Sequence, residues 1–414
     1  MTTVHLSGAA RVPTPAADSS TVHDTDVEEL LETLVRLVPG SRLVTVGAGS
    51  AAPRTAHRVL VPGRRGPTAL STTRPRALAE AHRAVDATTT PGDAMGLLGT
   101  RAWTSLTAGQ LLRERVAVVG GTDGLADHLS EVLGQRVTYT MRIEEARTSR
   151  RPVLSVLDAR DRRVARADLG VSPASRSDLD AEVAALAQVG PREWTHLEVP
   201  RVLSRTSWDD IDVLVTSTLR APLWQGGARR RAEPPVEAMG ELSTAWAEPA
   251  VRLEEMGWMR RQQDLVDMLR SRTARQRFGA VVDRLLHDAR RTTWPVGAWH
   301  GDWTAHHMAR RGPQVQVWGW TRFETGVPMG LDPCHFLVSA ATDRDGFTPS
   351  AVRAGLAEAL RRQHGPGASV LGALYLLAVT SRELVLAEGP GGHRVAERAE
   401  VLLTTLEDWF TSRV

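Results

Sequence analysis

The chain of 414 residues contains no lysine and no asparagine, so all 51 of its Lys/Arg positions are arginine. Any chemistry that needs a side-chain primary amine, or an asparagine carboxamide as a ligand, is excluded. The single cysteine, Cys334, rules out an internal disulfide and leads to the expectation of a reducing, cytoplasmic setting. No apolar run approaches the ~18 residues that a bilayer requires. The longest, at 370–379, reads as a buried helix, so no membrane span is expected. The N-terminal segment lacks the charged-then-apolar order of a secretory signal. Positive charge in excess is missing too: the net charge is +3 although the pI is 9.8, because arginine keeps its proton. The arginine pairs are interspersed with acids, and only Arg229, Arg230 and Arg231 form a run. These read as solvated surface, not as a nucleic-acid track.

What is present is ordinary globular material, 42% hydrophobic and 24% charged, in a chain long enough for two or three compact domains. Residues 1–25, rich in Ala, Thr, Ser, Pro and Asp, read as a tail. A small α/β module is expected over 26–120, with a helix at 27–37, short strands at 43–46, 58–61, 68–71 and 115–119, and weaker helices at 76–85 and 107–112. A helix at 124–134 opens the next section. Three consecutive strands (137–142, 152–157, 163–169), a helix (177–189) and a strand (212–216) complete a lobe over 121–220. Gly226, Gly227, Pro234 and Pro235 mark a crossing. Beyond it, over 221–414, the pattern is helical (250–270, 275–292, 349–363, 371–388, 394–412), interrupted by one loop and hairpin at 296–325. The fold class is therefore α+β, in two lobes. The turn VGGTDG at 119–124 lacks a full phosphate-loop spacing and reads as a strand-to-helix turn.

The chemistry-bearing segment is 297–308, GAWHGDWTAHHM, followed by VQVWGW at 315–320 and then GLDPCHF at 330–336. In spacing and flanking residues it resembles the HGDxxxxN loop, and the strand ending in Asp-Trp-Glu, of the aminoglycoside-phosphotransferase family, in an actinobacterial-type form. Upstream, PVLSVLD at 152–158 resembles the same family's approach to its lysine-bearing strand. The resemblance covers most of 115–414. It implies a bilobal, protein-kinase-like fold with the 26–120 module added in front.

The resemblance also assigns positions. In such enzymes a lysine holds the nucleotide phosphates, a helix glutamate orients it, Asn and Asp ligate Mg²⁺, and another Asp takes the proton of the substrate hydroxyl. Here the lysine position falls on Asp168, with Arg166 two residues earlier on the same strand face and able to pair with it. Glu182 matches the orienting glutamate. His307 stands at the metal-binding Asn, Gly319 at the metal-binding Asp, and Thr321 at the glutamate two residues on. Mg²⁺ requires oxygen ligands, which neither imidazole nor glycine supplies. The turn over 142–151 contains no glycine, so backbone amides approach a phosphate less freely there. Asp302 keeps the proton-acceptor position with His300 before it. Asp332 matches the helix-borne aspartate that ties down the loop. Trp318 and Trp320 are expected to pack under the loop, with Trp299 and Trp303 flanking it.

The leading expectation is a degenerate family member, a pseudokinase that binds, scaffolds or regulates. It would need no cofactor and have an unidentified small-molecule or protein partner. The alternative is an active ATP- and Mg²⁺-dependent phosphotransferase that uses Asp302 as base, Arg166 on the phosphates and rearranged ligands. A third reading builds a metal site from His300, Asp302, His306, His307 and His335.

Overall fold

A computed structural model of the chain describes residues 32–33, 35–47, 56–61, 68–71, 114–145, 150–219, 233–362 and 367–411. The expected tail, the helices at 76–85 and 107–112, residues 146–149 of the 142–151 turn and most of the crossing (220–232) lie outside these residues. The parts follow the bilobal kinase-like order: an antiparallel sheet with helices on it, then a helical lobe.

The first part contains strands β1 (Arg42–Gly47), β2 (Ala56–Val61), β3 (Thr68–Ser71) and β4 (Glu114–Val119), helix α1 (Gly124–Val132) and strands β5 (Thr138–Glu145), β6 (Arg150–Leu157) and β7 (Arg163–Gly170). Helix α2 (Pro173–Val189) and strands β8 (Leu197–Glu198), β9 (Val202–Trp208) and β10 (Ile211–Ser217) follow. One sheet runs β1-β4-β2-β3-β5-β6-β7-β10-β9, each neighbouring pair antiparallel. The boundary expected near residue 120 therefore does not separate two sheets. Strand β3 pairs with β5 (Thr68 with Arg142, Ala69 with Met141), so the leading module's strands extend the lobe's own sheet. Edge backbone groups of a lone lobe sheet would otherwise be open there.

Alternation decides the two faces of the lobe sheet. Tyr139, Met141, Leu154, Val156, Ala165, Ala167 and Leu169 point to one side and are buried with Leu125 and Leu129 of α1 and with Leu37 and Val38. Asp123 caps α1 and also accepts the Tyr139 hydroxyl at 3.0 Å, locking the helix to that face. Arg151, Val153, Arg166 and Asp168 point to the other side, where α2 lies. Helix α2 begins where Ser172 and Ser175 cap each other's backbone and Pro173 presets the first turn.

The second part contains α3 (Val236–Thr244), β11 (Glu248–Arg252), α4 (Gly257–Met268), α5 (Arg272–Ala289), β12 (Thr293–Trp299), the hairpin β13 (Met308–Arg311) and β14 (Gln314–Val317), and β15 (Glu324–Pro328). Helices α6 (Leu331–Asp345), α7 (Pro349–Arg362), α8 (Ala368–Glu388) and α9 (Ala396–Thr411) complete it. The helix expected from residue 250 starts later, because 248–252 pairs with β12 as a strand. The strand expected to reach residue 320 stops at Val317. Gly319 there takes a left-handed backbone and a short 3-10 turn, Trp320–Arg322, follows. Strand β9 and helices α3 and α6 have no counterpart among the expected elements.

Helix α8 is the axis of the second lobe. Its 21 residues are long and apolar enough to cross a membrane, with a mean hydropathy of 1.6, yet 72% of that apolar window is buried inside the protein. Leu374, Leu376 and Leu377 sit there with Trp258, Phe278, Leu356, Leu402 and Leu406. A separate cluster joins the lobes. Ala185, Leu186 and Val189 of α2 pack with Leu197, Met239, Trp303, Val317, Trp320 and Phe336. The two-residue strand β8 also pairs in parallel with β14. The loop between β12 and β13, which carries Trp303, is thus seated on both lobes.

Helices α6 and α7 cross closely at Gly355, where an added Cβ would lie 2.6 Å from the Val338 Cα and 2.7 Å from the Leu337 carbonyl oxygen. Backbone cannot yield as a side chain can. Gly355→Ala is therefore expected to destabilise by about 1–3 kcal/mol despite alanine's higher helix propensity, read as a lower denaturant midpoint at unchanged m-value.

Candidate functional site

The loop 300–307 lies between β12 and β13, and its shape is set by Asp332 in the first turn of α6. The Asp332 carboxylate is buried and accepts the His300 amide at 2.8 Å and the Gly301 amide at 3.2 Å. Burial pushes its pKa up to about 7, against the pull of those two amides. Gly301 has φ +77° and a Cβ there would lie 2.2 Å from the Arg322 carbonyl oxygen, so only glycine fits. The Gly301 carbonyl in turn accepts Arg382 Nη1 at 2.8 Å, which ties the loop to α8.

His300 is fully buried. Its ring packs edge-on against Trp320, 4.6 Å between centroids, and beside Trp303. Its Nδ1 accepts the Asp302 amide at 3.2 Å. Burial, with His307 next in effect, lowers its pKa to about 3, so the ring is neutral. His300 is thus a packing residue that shapes the turn. Trp299, Trp303 and Trp320 are buried around the loop, while Trp318 is half-buried.

Asp302 presents its carboxylate at the cleft between two histidines. His335 Nε2 lies 3.2 Å from Oδ1, and the other His335 nitrogen faces the Tyr375 hydroxyl at 3.4 Å. His307 Nδ1 donates to the Asp302 carbonyl at 2.8 Å and lies 3.6 Å from Oδ2. The His307 ring covers Gly319. A Cβ at 319 would meet its Cδ2 at 3.2 Å and its Nε2 at 3.3 Å. The two positions implied as metal ligands are therefore adjacent, and a side chain on residue 319 would press against the imidazole.

This donor set does not suit Mg²⁺, which demands several oxygens in octahedral array. The five-residue His/Asp metal site is also corrected. His306 turns outward to Asp343 at 2.9 Å, and His300 is buried under the tryptophans. Among the described residues no group of three or more His, Cys, Asp or Glu side chains is arranged to hold a metal.

At the position the resemblance implies for a lysine, acids and arginines pair. Asp168 is 1% exposed, and both its oxygens accept from Arg166, at 2.7 and 2.8 Å. Arg151, reaching across from β6, lies 3.1 Å from Asp168 and 3.3 Å from Glu182. Lysine from a neighbouring strand is excluded by composition, yet an arginine arrives from that strand. Glu182 is buried as well. Burial raises its pKa, Arg151 opposes this and Asp168 adds to it. Two guanidinium groups and two carboxylates thus close a neutral network where a cation–glutamate pair was implied. The sequence signal for Arg151 was weak: it is one of many arginines, and its partners lie 17 and 31 residues away.

No protein-family model and no curated protein sequence matches the chain. Among solved structures it is similar to a thermostable mutant of aminoglycoside phosphotransferase APH(4)-Ia in ternary complex with ADP and hygromycin B. That match has 11% identity, 68% of this chain and 98% of that one covered, and a TM-score of 0.45. It is also similar to ADP-bound aminoglycoside phosphotransferase APH(2'')-Ib, with 13% identity, 69% and 98% covered, and a TM-score of 0.43. A third likeness is to a protein from Haemophilus somnus provisionally described as a fructosamine-3-kinase, with 11% identity, 68% and 96% covered, and a TM-score of 0.41.

Two predictions follow from the buried charges. Arg151→Met leaves two buried carboxylates sharing Arg166, and is expected to cost about 3–5 kcal/mol in chemical denaturation. The pH response of the loop has a defined sign. His300, lowered from 6.5 to about 3, contributes stability above pH 6.5 that is lost as the pH falls toward 3. Asp332, raised from 3.8 to about 7, contributes stability on the acid side that is lost as the pH rises through 7. The two oppose each other over the interval they share. His300→Gln leaves Asp332's contribution alone, so the melting temperature of the variant relative to the parent should rise steadily as the pH is lowered from 6.5 to 4.

Proposed function

We propose that the protein is a kinase-shaped binding or scaffold protein that does not transfer phosphate. The observation that carries this reading is the His307 imidazole packed over Gly319, 3.2 Å from where a side chain would begin. Both implied metal positions lack an oxygen ligand, and a side chain at 319 would press on the imidazole. Charge balance supports the same reading. Asp168 replaces a cation at the implied phosphate anchor, and the nearby Arg151 and Arg166 already face buried carboxylates. A triphosphate brought there would compete with Asp168 and Glu182 for the same guanidinium groups. Without metal, several kcal/mol of transition-state charge stabilisation is missing, and each ~1.4 kcal/mol is tenfold in rate.

One observation favours the alternative of an active phosphotransferase. Asp302 keeps an accessible carboxylate, hydrogen-bonded by His335, in the place of a proton acceptor. Such a carboxylate is equally at home as a loop-ordering acceptor, and it supplies no phosphate binding.

Calorimetric titration with ATP, in the presence and absence of Mg²⁺ and Mn²⁺, separates the two. No metal-dependent nucleotide binding and no ATP turnover are expected of the natural sequence. Mg²⁺-dependent turnover that disappears in Asp302→Ala would overturn the proposal. The pair Gly319→Asp with His307→Asn is expected to gain metal-dependent binding, whereas Gly319→Asp alone should gain none, because the imidazole still blocks it.

A further inference from the structure

The link from α2 to β9, residues 190–201, begins and ends on the first lobe, yet its middle is held by the second. Links of ~2–6 residues are usual between a helix and a strand, so this one has length to spare for an excursion. The Glu241 carboxylate of α3 accepts the Thr195 amide at 2.6 Å and the His196 amide at 2.8 Å. The His196 carbonyl then accepts the Val315 amide at 2.7 Å, and Leu197 and Glu198 run parallel to Val315 and Gln316 of β14. Gln316 is buried and donates to the Glu198 carboxylate at 2.7 Å, while Gln314 donates to the Trp194 carbonyl at 3.4 Å. The Trp194 ring lies 6.2 Å from that of Trp246, just past α3, and the Arg192 guanidinium sits 4.0 Å over the same Trp246 ring.

Both neighbours of this segment are fastened to the sheet instead. Arg201 exchanges two bonds with Ser217 of β10: its amide donates to the Ser217 hydroxyl at 2.9 Å, and its carbonyl accepts the Ser217 amide at 2.8 Å. Helix α2 is tied to the strands by Arg205 with Asp180 at 2.8 Å and by Arg151 with Glu182 at 3.3 Å. A segment anchored to one lobe at its ends and to the other at its centre bridges the two.

We propose that residues 192–198 are a strap, with Glu241 as its clasp, that fixes the spacing of the lobes whether or not the cleft is occupied. Hydrogen bonds to an ionised group are about twice as strong as neutral ones, and a carboxylate that takes two consecutive amides fixes direction as well as distance. Lobes that close on a ligand need elements free to slide or rotate. Here such a movement breaks the Glu241 bonds and the β8–β14 pairing together. None of this depends on whether the cleft transfers phosphate.

The test uses the full chain with spin labels on Arg160→Cys, in the turn between β6 and β7, and Arg394→Cys, before α9; Cys334 is buried and stays unlabelled. Pulsed electron resonance is expected to give one narrow interlobe distance, unchanged by ATP with or without Mg²⁺. Glu241→Ala should broaden that distribution, and amide exchange over 195–198 should become roughly tenfold faster, the loss of one charge-assisted bond. Should Glu241→Ala lose helix content by circular dichroism, Glu241→Gln, which keeps one acceptor, serves in its place with the same expectation. Nucleotide binding at unchanged distance would support the strap even while it counted against the reading of the cleft given above. A broad distribution in the parent, a distance that shifts with nucleotide, or a distribution unchanged in the folded variant would overturn the proposal.

Discussion

Two guanidinium groups and two carboxylates, shut between the sheet and α2, set the electrostatic terms for the rest of the cleft. Arg151 and Arg166 meet Asp168 and Glu182 with most of their surface out of water. A buried charge left without its partner costs several kcal/mol, so none of the four can be lent to a ligand without a replacement. An enzyme that grips phosphate keeps a cation available for an incoming anion. In this chain the cations are already held by its own acids. That balance leaves the four groups together without net charge.

The same reliance on internal pairing runs through the loop. Asp332 satisfies two amides, Arg382 satisfies a carbonyl, and the tryptophans close over a neutral His300. The backbone of the loop is held from within, while His300 Nε2 and Trp303 Nε1 are buried without a hydrogen-bond partner among the described residues. Its one outward-facing acid, Asp302, is steadied by His335 and His307.

Much of this could be read from residues alone. The GAWHGDW run placed the loop, and apolar spacing placed α2 and the helices after residue 349, because those patterns are local. Three things were not legible. Strand 248–252 looked helical since its pairing partner, β12, lies some forty residues on, and propensity cannot register a partner at that distance. Helices α3 and α6 begin at Pro235 and Gly330, without a side-chain cap to announce them. Arg151 was invisible because an arginine carries no mark of where its long side chain ends. Its role comes only from register, which sets Val153 beside Asp168 and so turns Arg151 to the same face. The leading strands were placed correctly as strands, but sequence gave no reason to join them to the lobe's sheet.

The contact between His307 and Gly319 has a bearing on ancestry. If a metal-binding forebear carried Asn and Asp at these positions, the way back is closed to single steps. Restoring the aspartate first sets its Cβ about 3.2 Å from the imidazole, so the ring must yield; removing the imidazole first surrenders the bond to the Asp302 carbonyl in exchange for one ligand oxygen. Each half-reversal carries a cost of its own before the pair is complete. A pair of residues packed in this manner acts as a ratchet, able to hold a lineage in its present state long after the pressure that produced it has gone.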